Sequence, residues 1–263
     1  YVKDKDGEYH CLTGNMSGSL LAEYELSQIK ATKGLPKDGA LIKSIVTTNL
    51  VNEMAKSYGV KLVEVLTGFK FIGQKMLEFE TKHNGTYLFG FEESYGYLGG
   101  SYVRDKDAVI GSMLICEMAA YYRSIGVSLL EAREAMYKKY GNYVHTVASF
   151  TCEGAAGMEE MARIMNGLHA SYPETICGFK VVKVDDYEKS ETLDIATGAK
   201  TAITLPKSDV LCYTLENKAT VIIRPSGTEP KIKAYYTTVC ASREEAVELG
   251  EKIAAYVKNM LGF

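Results

Sequence analysis

Between residues 41 and 91 the apolar pattern of the chain changes period four times, and few folds accept that order. Residues 41–47 form a β-branched apolar run, Leu50, Met54 and Tyr58 then recur four apart before Gly59, and residues 61–65 alternate. Residues 71–79 return to helical spacing, and residues 87–91 to a short apolar run. Strands alternating with helices predict parallel pairing, because a parallel partner is reached only through a crossover. The expected product is an α/β domain, a three-layer α/β/α arrangement around a mixed, largely parallel sheet. Its ligands belong at loops beyond the carboxyl ends of the strands.

The flanking segments extend this plan. Residues 1–12 read as two short strands around the turn pair Asp6-Gly7, and Leu21, Tyr24, Leu26 and Ile29 suggest a helix over 17–29. Two helices close the unit, one over 107–122 and one from the capping box Ser128-Leu129-Leu130-Glu131, with Leu130, Ala135 and Met136 facing inward. After Gly141 the pattern changes to a strand over 143–150, a helix over 158–168, and strands over 179–187, 209–215, 220–224 and 232–239. A last helix follows the capping box Ser242-Arg243-Glu244-Glu245, with Val247, Leu249, Ile253, Val257 and Met260 as its apolar stripe. Strands joined by short turns, with helices at either side, predict a smaller α+β domain whose antiparallel sheet carries helices on one face. The boundary is expected near residues 141–146.

Composition narrows the function. With 46% hydrophobic and 24% charged residues the chain can bury a real core, which excludes disorder. Thirty Lys plus Arg stand against 33 Asp plus Glu with no long basic run, which argues against nucleic acid or a membrane surface as partner. The six cysteines are scattered with no C-x-x-C, so zinc is disfavoured, each cysteine is expected as a small core hydrophobe, and the chain reads as cytoplasmic. No apolar run approaches the ~20 residues of a membrane-spanning helix. Asp4-Lys5-Asp6-Gly7 lacks the further acidic ligands of a calcium loop and reads as a turn. The opening Tyr1-Val2-Lys3, strand-like and without Met, suggests excision from a longer chain.

Four segments carry chemistry. Arg224-Pro225-Ser226-Gly227-Thr228-Glu229-Pro230-Lys231 lies between two strands, where a guanidinium fork, two hydroxyls and a glycine that frees backbone N–H groups suit a phosphate dianion. Lys231 and Lys233 extend the positive field, although Ser, Gly and Pro equally suit an ordinary hairpin loop. Gly90-Phe91-Glu92-Glu93-Ser94-Tyr95-Gly96 follows a strand, and a carboxylate beside a hydroxyl there can accept from vicinal sugar hydroxyls, or be a solvated acidic turn. Thr67-Gly68-Phe69-Lys70 opens a helix with its backbone donors at the same strand ends. In Arg104-Asp105-Lys106-Asp107, Asp107 reads as a helix cap and Lys106 as solvated.

These segments together resemble the phosphohexomutase family of phosphoglucomutases and phosphomannomutases. R-P-S-G-T-E-P-K is similar to its C-terminal phosphate-binding loop, and G-F-E-E-S-Y-G to its sugar-specificity loop, usually G-E-x-S. T-G-F-K-F-I-G at residues 67–73 and R-D-K-D at 104–107 resemble two further active-site segments, and all four stand in the family's order. The resemblance implies the C-terminal half of a four-domain enzyme: residues 1–12 the tail of the second domain, 13–144 the third with the sugar loop, and 145–263 the fourth with the phosphate loop.

By that resemblance, the intact enzyme interconverts hexose 1-phosphate and hexose 6-phosphate through a phosphoserine and a bisphosphate intermediate. Arg224, Ser226, Gly227 and Thr228 are then expected to anchor the phosphate that is not reacting, and Glu92 and Ser94 to hold ring hydroxyls. Thr67 and Gly68 match cleft-lining positions, and Lys106 matches a catalytic lysine near the reacting phosphate. A T-x-S-H-N-P serine motif and a D-G-D-x-D-R metal loop are absent from these residues. The chain alone is therefore expected to be inactive and without its own metal site, with Mg²⁺ and the serine in N-terminal domains that act as its partner. Glucose 1,6-bisphosphate is the implied activator and intermediate. The run Ser94-Tyr95-Gly96-Tyr97 followed by Gly99-Gly100 departs from the usual loop, placing glucose phosphates first, mannose phosphates second, and leaving pentose or glucosamine phosphates open. The rival reading is a free-standing phosphosugar-binding module without catalysis.

Overall fold

A computed structural model describes residues 1–154, 156–227 and 229–263, and its contacts divide the chain into two units, Tyr1–Gly141 and Asn142–Phe263. In the first unit, β1 (Val2–Lys3) and β2 (Tyr9–His10) pair antiparallel across Gly7, whose φ of +92° favours glycine. The Asp4 carboxylate accepts the amides of Asp6 and Glu8 and lies 2.7 Å from His10 Nε2, so its oxygens build the turn. Then come α1 (Gly14–Thr32), β3 (Gly39–Ser44), α2 (Leu50–Tyr58), β4 (Lys61–Val65), α3 (Phe69–Lys82), β5 (Thr86–Phe91), β6 (Tyr97–Gly99), α4 (Ala108–Ser124) and α5 (Leu129–Tyr140). Gly59 ends α2 in the left-handed conformation (φ +70°), and Ser128 with Glu131 forms the expected capping box of α5.

The four-stranded sheet runs β4-β3-β5-β6, parallel in its first two pairings and antiparallel in the last. The α/β class read from the sequence is the class observed. Each face of β5 carries a helix: Gly90 approaches Ile72 of α3, while Gly18 of α1 lies where a Cβ would fall 2.1 Å from the Phe91 ring. Ala40, Ile42, Val65, Phe69, Ile72, Met76, Phe79 and Leu98 form the core under α3. Each of the larger side chains contributes about 1.5–3 kcal/mol by leaving water. On α5 the expected inner face needs correction: Ala132, Met136, Tyr137 and Tyr140 are buried and Ala135 is exposed. Ala135 is one residue off the i, i+4 row that meets the core.

The second unit contains β7 (Asn142–Thr151), α6 (Gly157–Ala170), β8 (Thr175–Ile176), β9 (Phe179–Asp186), β10 (Glu191–Asp194), β11 (Lys200–Ala202), β12 (Leu211–Leu215), β13 (Thr220–Pro225), β14 (Lys231–Cys240) and α7 (Arg243–Met260). Its strands pair antiparallel throughout in the order β11-β10-β9-β12-β13-β14-β7, with β8 beside β9. Val221, Ile223, Ile232, Ala234 and Tyr236 face Met161 and Met165 of α6 and Ile253 and Val257 of α7 in one core. On α7 the buried row is Ala246, Gly250, Ile253 and Val257, and Val247 is exposed, against the expected stripe. Cysteine burial also departs from expectation: Cys152 is buried, whereas Cys11 and Cys116 are exposed.

His169, in the last turn of α6, is 9% exposed and spans two carboxylates, Nδ1 2.9 Å from Asp186 and Nε2 2.9 Å from Asp209. Burial pulls its pKa down, but hydrogen bonding to both carboxylates outweighs this and holds it above the usual 6.5. A raised folded pKa means that the stabilisation is complete below pH 6.5 and is lost as pH rises through the folded value. Melts of the chain from about pH 5.5 to about 8.5 are therefore expected to fall in temperature with rising pH, and His169→Gln to flatten that slope.

Candidate functional site

Three loops of the first unit leave the carboxyl ends of its parallel strands, at residues 45–49, 66–68 and 92–96. The last is a hairpin loop: Phe91 pairs with Tyr97, Glu92 N–H donates to Gly96 O at 2.9 Å, and Tyr95 takes a φ of +65° to close the reversal. Glu92 is 6% exposed, and its Oε1 accepts the Gly68 N–H at 2.7 Å. Gly68 directly precedes α3 with a φ of 120°, which a side chain rarely adopts. The carboxylate thus meets the positive end of that helix. On the other side, a Cβ on Gly96 would lie 3.2 Å from Lys106 Cδ and 3.6 Å from Glu92 Oε2, so the Lys106 stem crosses the loop beside the carboxylate.

The structure therefore brings Gly68, Glu92 and Lys106 together. Thr67 adjoins Gly68, and its Oγ1 is buried with no hydrogen-bond partner among the described residues. Ser94 is exposed at the tip of the loop. Lys106 is half-exposed with Nζ 3.3 Å from Asp105, while Asp107 caps α4 by accepting the Val109 and Ile110 amides. Sequence reasoning missed Gly14, where a Cβ would fall 2.0 Å from the Glu93 carbonyl oxygen, so the start of α1 is pressed against the loop. A helix-initial glycine beside Thr13 was the available signal.

In the second unit, β13 and β14 hold Arg224 directly opposite Lys233 and Pro225 opposite Ile232. Directly opposed residues share a face, so two cations stand side by side there. The Arg224 guanidinium donates from Nη2 to Tyr235 Oη at 2.9 Å and lies 5.6 Å from the centre of that ring. Its Nε is buried with no acceptor among the described residues. In the loop, Ser226 N–H donates to Lys231 O at 2.7 Å, and Pro230 O accepts the Cys152 amide at 2.8 Å. Lys231 is drawn to Glu229 at 3.1 Å. Gly227 has no positive φ and has open space around its missing side chain, so what it contributes to the loop is room. Thr228 lies outside the described residues. Tyr235, which orients the guanidinium, went unremarked in the sequence, although the hairpin register places it diagonally across from Arg224.

Among the described residues no group of three or more His, Cys, Asp or Glu side chains could hold a metal ion. Nor is any single helix among them long and apolar enough to cross a membrane.

A family model for the phosphoglucomutase/phosphomannomutase α/β/α domain III matches residues 13–140, nearly all of the first unit. Over those residues the chain is similar to domain III of the phosphoglucomutase/phosphomannomutase family. A phosphoglucomutase of Staphylococcus epidermidis is 36% identical over 238 residues, covering 90% of this chain and 42% of that protein. The crystal structure of parafusin, a phosphoglucomutase from Paramecium in its open form, superposes with a TM-score of 0.63 at 18% identity, over 96% of this chain and 43% of that one. An N-acetylphosphoglucosamine mutase of Aspergillus fumigatus, solved with GlcNAc-6P and magnesium, superposes with a TM-score of 0.50 at 14% identity, over 97% of this chain and 48% of that one. The chain thus spans less than half the length of these relatives.

Proposed function

We propose that this chain is the sugar-reading and phosphate-anchoring part of an enzyme that interconverts hexose 1-phosphate and hexose 6-phosphate, with glucose phosphates the first substrate class. The observation that carries the reading is the pairing of Arg224 with Lys233. Like charges directly opposite one another destabilise a strand pair unless an anion sits between or above them, and among the described residues neither cation has a carboxylate partner. A phosphate dianion answers both charges. Ser226, Gly227 and Thr228 complete that anchor.

In the first unit, Glu92 and Ser94 hold ring hydroxyls, Thr67 and Gly68 line the sugar's approach, and Lys106 supplies positive charge near the phosphoryl group in flight. A reaction that runs through a phosphoserine and a bisphosphate needs one fixed phosphate and one free to react. Such positioning contributes up to roughly 7–11 kcal/mol in favourable cases. The serine, the Mg²⁺ and the partner domains belong, on this reading, to the length of the relatives that the chain does not span. The chain alone then gives no turnover, and the whole enzyme works in the cytoplasm.

Calorimetric titration of the chain with glucose 1-phosphate and with inorganic phosphate tests the assignment. Glu92→Gln is expected to weaken glucose 1-phosphate about tenfold, the size of one charge-assisted hydrogen bond, and to leave inorganic phosphate unchanged. Equal loss for both ligands, or no wild-type heat with either, sinks the reading.

A further inference from the structure

Lys43 sits in β3, the strand at which the parallel sheet of the first unit turns outward to both sides, and its side chain is 1% exposed. The four residues before it in that strand read Gly-Ala-Leu-Ile and are wholly buried, so an apolar residue of similar volume would fill the site. Instead, three ammonium donors meet three acceptors: Thr47 O at 3.0 Å, Asn49 Oδ1 at 3.0 Å and Glu64 Oε1 at 2.9 Å. That satisfies every N–H of the ammonium.

Two of those acceptors belong to the turn after β3, which is itself bonded outward. Thr48 N–H donates to Asn15 Oδ1 at 3.0 Å, at the start of α1. Asn15 follows Gly14, whose missing side chain lets the helix lie against the Glu93 carbonyl, and Tyr97 Oη reaches Gly14 O at 3.5 Å. An unbroken path of short contacts therefore runs from the buried ammonium, through the turn and the start of α1, to the loop that carries Glu92 and Ser94. We propose that Lys43 is a positioning residue: its ammonium fixes the turn at residues 44–49, and through Asn15 and Gly14 it sets the height of the 92–96 loop over the sheet.

The inference rests on the functional reading only for what the loop binds. Amide hydrogen exchange on the chain separates the two. Lys43→Met, which keeps the length and loses the charge, is expected to speed exchange about tenfold at Thr48 and also at Glu92, whose amide closes the loop on Gly96, while β13 and β14 keep their protection. Asn15→Ala cuts the path farther along without touching the core, and is expected to speed exchange at Glu92 by a similar factor. It decides the matter if Lys43→Met unfolds the whole first unit. Both variants are also expected to weaken glucose 1-phosphate about tenfold relative to inorganic phosphate. Unchanged exchange at Glu92 in Asn15→Ala overturns the proposal, as does equal weakening of the two ligands. A wild-type chain that binds no sugar phosphate would instead count against the functional reading alone, since the exchange result stands by itself.

Discussion

Arg224→Ala is expected to cut the affinity of the chain for inorganic phosphate and for glucose 1,6-bisphosphate by about a hundredfold or more. A guanidinium gives a dianion at least two charge-assisted hydrogen bonds, each contributing about 1.5–3 kcal/mol, and about 1.4 kcal/mol is a factor of ten. Two such bonds already account for the expected loss. Arg224→Lys keeps the charge but not the fork, nor the Nη2 bond to Tyr235, and is expected to recover only a minor part of the affinity. Stability supplies the control. Because Arg224 faces Lys233 across the strand pair, removing it relieves a like-charge contact, and the melting temperature of the alanine variant is expected to stay level or rise slightly. Calorimetry that finds wild-type phosphate affinity in Arg224→Ala would remove the anchor from this hairpin.

The second large effect concerns Asp186, which is 1% exposed at the end of β9. Its Oδ2 lies 2.9 Å from His169 and accepts from Tyr172 at 2.8 Å, while Oδ1 accepts the Glu188 and Lys189 amides at 3.1 and 3.0 Å. Burial raises the carboxyl pKa, but these donors prevail and hold it below the usual 3.8. Asp186→Ala leaves the His169 cation, a lysine and two amides without their shared acceptor, at a cost of about 3–5 kcal/mol. A domain of this size should then melt on the order of 10 °C lower. Asp209, whose side chain is 43% exposed, bonds only the other ring nitrogen, and Asp209→Asn is expected to cost about 1 kcal/mol or less. Equal destabilisation in the two variants would show that burial does not set the hierarchy.

The α/β class and most elements were legible because burial writes a period into sequence. Helix α2 was read to the residue, since Leu50, Met54 and Tyr58 mark its inner row and Gly59 its stop. β4 was equally plain. β6, β10 and β11 were not: Tyr97–Gly99 lies in a glycine-rich stretch, and Glu191–Asp194 and Lys200–Ala202 form a polar ladder toward the sheet edge, where no apolar alternation is demanded. β3 was placed too far along, because Ile45, Val46, Thr47 and Thr48 are buried in a turn instead of a strand. At the candidate site the loops could be named from their residues, but what holds them could not. Gly14 against Glu93 acts across a long sequence separation, Tyr235 reaches Arg224 only through the hairpin register, and Lys43 reaches the turn only because the strand before it is buried.

The hairpin that carries Glu92 is closed by a backbone bond at its neck and blocked underneath by a helix with no side chain to yield. Such a frame has little tolerance for gaining or losing residues. Ser94, exposed at the tip, is where a new side chain disturbs that frame least, whereas Tyr95 at φ +65° is part of the reversal itself.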